Sequence, residues 1–160
     1  IPAFQANGCE VVAVCQRNLA QARAVADKYG VRRVFERWEE TTGEAIAGTL
    51  ALARELRAAG YRTLALTNFS AETFPRALRL HPHLDEFEGI VVSGHERLVK
   101  PDPAIYRRLC ERFRVEPARS VFIDDSLPNV EGARSIGMLA VNFVSADQLR
   151  DELRGLGVVV

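Results

Sequence analysis

The alternation of short apolar runs with stretches of helical period constrains this chain more than any other feature. Glu10-Val-Val-Ala-Val-Cys15 is a β-branched run of the kind that forms a buried parallel strand. Asn18 caps a following helix through Lys28, Gly30 ends it, and residues 31–35 form another short strand. Ile46, Leu50, Ala53 and Leu56 recur at helical spacing within residues 44–59, and Gly60 stops that helix. The pattern continues with a strand over 62–67, a helix over 72–80, a strand over 89–93 and a helix from Pro103 to Phe113. A strand over 120–124, a helix over 128–136 closed by Gly137, a strand over 138–143 and a helix over 146–153 complete it. Such alternation predicts a three-layer α/β fold, a parallel sheet with helices on both faces. Ligands of such sheets sit at the carboxyl ends of the strands.

Composition narrows the function. At 160 residues the chain accommodates one α/β domain, or a core with a small appendage. The 21 basic and 21 acidic residues cancel, which argues against a general electrostatic binder of nucleic acid. The longest apolar runs fall far short of a membrane span. Cys9, Cys15 and Cys110 form no CxxC pair, and their odd number suits buried thiols in a cytoplasmic protein. Ile1-Pro-Ala-Phe has neither the basic segment nor the apolar stretch of a signal peptide, and the missing initial Met suits a fragment or a trimmed chain.

Three strand ends carry chemistry. Thr67-Asn68 offers a hydroxyl and backbone N–H groups that can cradle a phosphate, although Asn68 also suits a simple turn. Pro101 and Pro103 stiffen the chain around Lys100, whose ammonium could offset phosphoryl charge; a solvated surface lysine is the alternative. Asp124-Asp125-Ser126 places two adjacent carboxylates after a buried strand, where they repel unless a cation such as Mg²⁺ neutralises them. The alternative there is a helix N-cap at Asp125 or Ser126. His81, His83 and His95 read as loop residues, and Trp38 as packing.

Leu66-Thr-Asn-Phe-Ser70, Val99-Lys-Pro-Asp-Pro103 and Phe122-Ile-Asp-Asp-Ser126 with Asn129 together resemble the haloacid-dehalogenase-like (HAD) hydrolases, over about residues 38–156. The resemblance implies a Rossmann-like core in which Thr67 binds the transferring phosphoryl group with the Asn68 backbone beside it. It implies that Lys100 binds both phosphate and nucleophile, that Asp125 ligates Mg²⁺ directly, and that Asp124 does so directly or through water. The paired aspartates look like those of Mg²⁺-dependent small-molecule phosphatases rather than metal-free dehalogenases, so a small phosphoester is the expected substrate.

The family's attacking Asp is missing. The upstream strand ends in Cys15-Gln16-Arg17-Asn18, with no carboxylate, and the Arg17 guanidinium cannot serve as a general acid. Residues 1–38 instead resemble part of a Gfo/Idh/MocA-type NAD(P)-dependent oxidoreductase without its Gly-rich turn, which divides the chain into 1–38 and 39–160. In that resemblance Arg17 suits a ribose 2′-phosphate. Residues 11–15 are chemically able to take the place of a HAD first strand, and residues 36–47 leave little room for a substrate-selecting cap. The leading expectation is a HAD-type hydrolase core, inactive as it stands. The alternatives are a non-catalytic phosphate- or Mg²⁺-binding interaction module and an NADP-binding oxidoreductase fragment. Oligomeric state stays open.

Overall fold

The computed structural model describes residues 13–15, 19–35 and 46–160. The chain divides into two compact units, Ile1–Glu44 and Ala45–Val160. In the first, β1 (Ala13–Cys15) leads through α1 (Leu19–Tyr29) to β2 (Arg33–Phe35), and the strands pair in parallel with Ala13 opposite Arg33. Ala22 and Ala26 are buried on α1, four residues apart and therefore on one helix face. The expected cap at Asn18 lies outside the described residues, as do Arg17 and Trp38.

The second unit runs α2 (Ala47–Ala58), β3 (Leu64–Thr67), α3 (Phe74–Leu80), β4 (Gly89–Val92), α4 (Ser93–Glu96) and α5 (Pro103–Phe113). It continues with β5 (Val121–Asp124), α6 (Leu127–Arg134), β6 (Leu139–Asn142) and α7 (Ala146–Gly155). Short 3-10 turns occupy Pro82–Glu86 and Pro117–Arg119. β3 pairs with β4 and β5 with β6, both in parallel, with Thr67 opposite Val92 and Asp124 opposite Asn142. The parallel direction is the expected one. Among the described residues, however, the strands are hydrogen-bonded as pairs, because strand–helix alternation dictates direction but not which strands become neighbours.

Successive residues of a strand point to opposite faces, and the core divides accordingly. Leu64, Leu66, Phe122 and Ala140 pack with Val91 against a cluster built on Ile105, Tyr106, Leu109 and Cys110 of α5 and Ala133 of α6. Val121 and Ile123 turn the other way, towards a cluster of Val141 with Leu52 of α2 and Leu149 and Leu153 of α7. The β5–β6 pair is thus covered by helices on both faces, as a three-layer α/β unit requires. Pro103 opens α5, where its missing N–H costs nothing, and the Asp102 side chain accepts a bond from the Ala104 N–H at 2.8 Å. Ser145 caps α7 in the same manner, accepting from the Gln148 N–H. Gly137, at φ +87°, takes the left-handed conformation that ends the segment after α6. No described helix is long and apolar enough to cross a membrane.

Candidate phosphate and metal site

Thr67, Asn68, Asp124 and Asp125 lie at or just beyond the carboxyl ends of β3 and β5, and Lys100 lies in the loop between α4 and α5. Lys100 joins two of those ends. Its ammonium donates to Asp124 Oδ2 at 2.6 Å, with only 11% of the lysine side chain and 7% of the aspartate side chain exposed. Its peptide N–H donates to Asn68 Oδ1 at 2.8 Å, and its carbonyl accepts from Asn68 Nδ2 at 3.0 Å. The ammonium also lies 5.7 Å from the centroid of the Phe122 ring, within cation–π range. Lys100 is therefore not a solvated surface lysine.

Asp124 is nearly saturated by protein donors. Beside Lys100 on Oδ2, Oδ1 accepts from the Ser126 N–H and from Asn129 Nδ2, each at 2.9 Å. Burial alone would push the carboxyl up. The hydrogen bonds from Lys100, Asn129 and the Ser126 N–H, with the Lys100 charge, outweigh it and hold the group below its ordinary value. The Asp124 carbonyl in turn accepts from the Phe143 N–H and from Asn142 Nδ2, which ties the end of β6 to the same corner.

Asp125, by contrast, is exposed. The N-cap alternative holds for the position of Ser126 but not for a side-chain capping bond. Ser126 occupies the N-cap position of α6 but its side chain makes no capping bond, and its N–H is drawn to Asp124 instead. The turn alternative for Asn68 is likewise insufficient, since its amide bonds reach across 32 residues of sequence. The Thr67 hydroxyl has no hydrogen-bond partner among the described residues and is free for a ligand.

Ser93 and Tyr106 were not singled out in the sequence, and Asn129 was named there only as part of a motif, without a role. Ser93 Oγ accepts from the Phe69 N–H at 2.9 Å and donates to the Phe69 carbonyl at 3.1 Å, locking the chain beside Asn68 to the end of β4. The strand-end rule, applied to β4 as to its neighbours, would have found it. Asn129 holds Asp124 from the first turn of α6. Tyr106, fully buried, donates from its hydroxyl to the Asn129 carbonyl at 2.8 Å and packs edge-on against Phe122. Burial first, and then the Asp124 charge, push its hydroxyl up to about 12.

An open groove of about 410 Å³ runs past Asn68, Ser70, Arg97 and Val99, next to Lys100 in the chain. The histidines stay out of the site's bonding. His81 and His83 contact each other edge to face, and His95 meets the Phe74 ring. No group of three or more His, Cys, Asp or Glu side chains that could hold a metal occurs among the described residues. Cys110 is a free, buried thiol pushed up by that burial and then by Glu111, far from a poised nucleophile.

The corner thus combines a buried ammonium on Lys100, a buried carboxylate on Asp124 and an exposed carboxylate on Asp125. Comparison with known proteins gives the family and the fold. The family model described as haloacid dehalogenase-like hydrolase matches residues 20–137, starting inside α1. A sesquiterpene phosphatase of Aspergillus oryzae is 31% identical over 74% of this chain and 62% of its own length. A phosphoglycolate phosphatase of Nitrosospira multiformis is 39% identical over 51% of this chain and 36% of its own. The chain thus spans less than two thirds of either relative. A HAD family enzyme of Bacteroides thetaiotaomicron, solved with magnesium and inorganic phosphate, shares the fold. Its TM-score is 0.58 at 22% identity, covering 76% of this chain and 67% of that one.

Proposed function

The chain belongs to the haloacid dehalogenase-like hydrolase family, and on that premise we propose that its strand ends form a site for a small phosphoester that lacks the family's attacking carboxylate. The observation that carries this reading is the Lys100–Asp124 pair, held almost out of solvent, with the Lys100 backbone bonded to Asn68, the residue after Thr67. A phosphoryl oxygen accepts from Lys100 and Thr67, and the charge and donors are preset before the ligand arrives. Two relatives named as phosphatases support a phosphoester as the substrate class.

The residues fit Mg²⁺ as a cation held by few protein oxygens. Asp125 is exposed and supplies a direct ligand, whereas both oxygens of Asp124 already accept protein donors and suit contact through water. Mg²⁺ tolerates such a site because it keeps several waters and borrows phosphate oxygens. When bound, it offsets the negative charge of the phosphoryl group. The magnesium and phosphate present with the Bacteroides enzyme support the same pairing here.

Turnover is proposed to be at background. Cys15-Gln16-Arg17-Asn18 carries no carboxylate, and the retained residues orient phosphate or offset its charge without attacking it. A non-catalytic phosphate- or Mg²⁺-binding module is the second reading, favoured by the saturation of Asp124. The oxidoreductase reading of residues 1–38 rests on sequence resemblance alone and ranks third, since the hydrolase family model already covers residues 20–38.

Calorimetric titration of the full chain with inorganic phosphate, with and without Mg²⁺, tests the proposal. Binding that Mg²⁺ strengthens and Lys100→Met removes is expected. Phosphate binding indifferent to Lys100→Met would place the anion elsewhere, and tighter binding of NADP than of phosphate would favour the oxidoreductase reading.

A further inference from the structure

Asn68 has been considered above as a neighbour of phosphate, but its side chain is occupied otherwise. The carboxamide is the side-chain group that presents a donor and an acceptor in one plane. Here both face a single peptide unit, with Oδ1 taking the Lys100 N–H at 2.8 Å and Nδ2 giving to the Lys100 carbonyl at 3.0 Å. Such a reciprocal pair is what an adjacent strand residue would supply in a ladder. The amide thereby acts as a rung between the end of β3 and the loop before α5.

Both sides of this rung are held in turn. On one side Ser93 Oγ brackets the peptide groups of Phe69, the residue after Asn68. On the other, the Asp102 N–H donates to the Val99 carbonyl at 2.9 Å and the Asp102 side chain starts α5. A lysine stem is long and loses much rotamer freedom when it is immobilised. With its backbone fixed at both polar atoms, the stem has only to reach Asp124 Oδ2 across the Phe122 ring.

We propose that Asn68 is a positioning residue for Lys100, acting through the Lys100 peptide to hold the ammonium against Asp124. The phosphate part of the test below rests on the phosphate-site reading; the ammonium part does not.

The sequence contains two lysines, Lys28 and Lys100, and Lys28 is exposed, so the assignment is direct. In the full chain labelled with ¹⁵N-lysine, nuclear magnetic resonance should show one slowly exchanging ammonium signal, absent in Lys100→Met. Asn68→Ala should speed its exchange roughly tenfold or abolish it, with circular dichroism and melting cooperativity retained, as loss of about one or two hydrogen bonds allows. Asn68→Asp keeps the acceptor for the Lys100 N–H and loses the donor, so it should fall between the two, and it decides the matter if Asn68→Ala does not fold. An ammonium signal unchanged in both variants would overturn the proposal.

Inorganic phosphate affinity then separates action through Lys100 from direct contact. Asn68→Ala should weaken binding about tenfold in the parent and not at all in a Lys100→Met background, the non-additivity expected of residues acting through one another. Equal losses in both backgrounds would contradict it. A parent chain that binds no phosphate would count against the phosphate site, while the ammonium signal would still judge Asn68.

Discussion

Lys100 Nζ stands 2.6 Å from Asp124 Oδ2, and both side chains are almost closed to solvent. A pair of this kind is costly to break from one side, because the remaining charge is left buried and unpaired. Lys100→Met should therefore destabilise the chain by about 3 kcal/mol, the lower end for such pairs, since Asn129 and Ser126 still serve Asp124. Joint replacement, Lys100→Met with Asp124→Leu, should cost much less. Urea unfolding of the three chains measures both, and a double variant no better than Lys100→Met would argue that the pair is not the unit that matters.

The Tyr106 hydroxyl supports the same corner from beneath. Tyr106→Phe removes one bond to the Asn129 carbonyl, and the loss should be about 1 kcal/mol in urea unfolding. The ring contact with Phe122 survives this change.

Gly132 is packed too closely for any side chain. A Cβ there would lie 2.4 Å from the Pro101 carbonyl oxygen and 2.9 Å from the Tyr106 ring. The oxygen is backbone and cannot swing aside. Gly132→Ala should therefore destabilise by roughly 1–3 kcal/mol through overpacking, against the stabilisation that Gly→Ala ordinarily gives inside a helix. A melting temperature at or above the parent's would show that the Pro101 segment yields.

Glu86 predicts a pH dependence. The Arg54 hydrogen bond, reinforced by Arg57, holds its carboxyl at about 2 against an ordinary 4.5, in spite of partial burial. A depressed carboxyl contributes stability above the unfolded value and loses it as pH falls towards the folded one. Glu86→Gln should thus melt below the parent near pH 7, and the gap should close between about pH 4.5 and pH 2. The group faces solvent, so the gap is small and shrinks with salt.

The meeting of Lys100 and Asp124 across 24 residues could be read in the sequence, because strand ends converge in an α/β fold. What the Asn68 amide does could not be read, since turn preference and a cross-loop rung call for the same residue type. Strand order was hidden for a similar reason: helical crossovers fix direction alone. The short turns at Pro82–Glu86 and Pro117–Arg119 are too brief to show a period. Tyr106 sits at core spacing on α5, where nothing but a structure distinguishes a packed ring from one whose hydroxyl has a partner.

Hydrolysis of a generic aryl phosphate in the presence of Mg²⁺ tests the central claim most directly, comparing the chain with Asp125→Ala and with Cys15→Ala, which removes the one thiol at the end of the upstream strand, a group mostly protonated at neutral pH. Turnover at or near background is expected for all three. Enzymes stripped of their nucleophile retain roughly 10³–10⁴-fold over water, and positioning by Lys100 and Thr67 could supply no more than that. Robust turnover, abolished by Asp125→Ala and untouched by Cys15→Ala, would mean that another residue of the chain attacks phosphorus, and would contradict a phosphate site without a nucleophile.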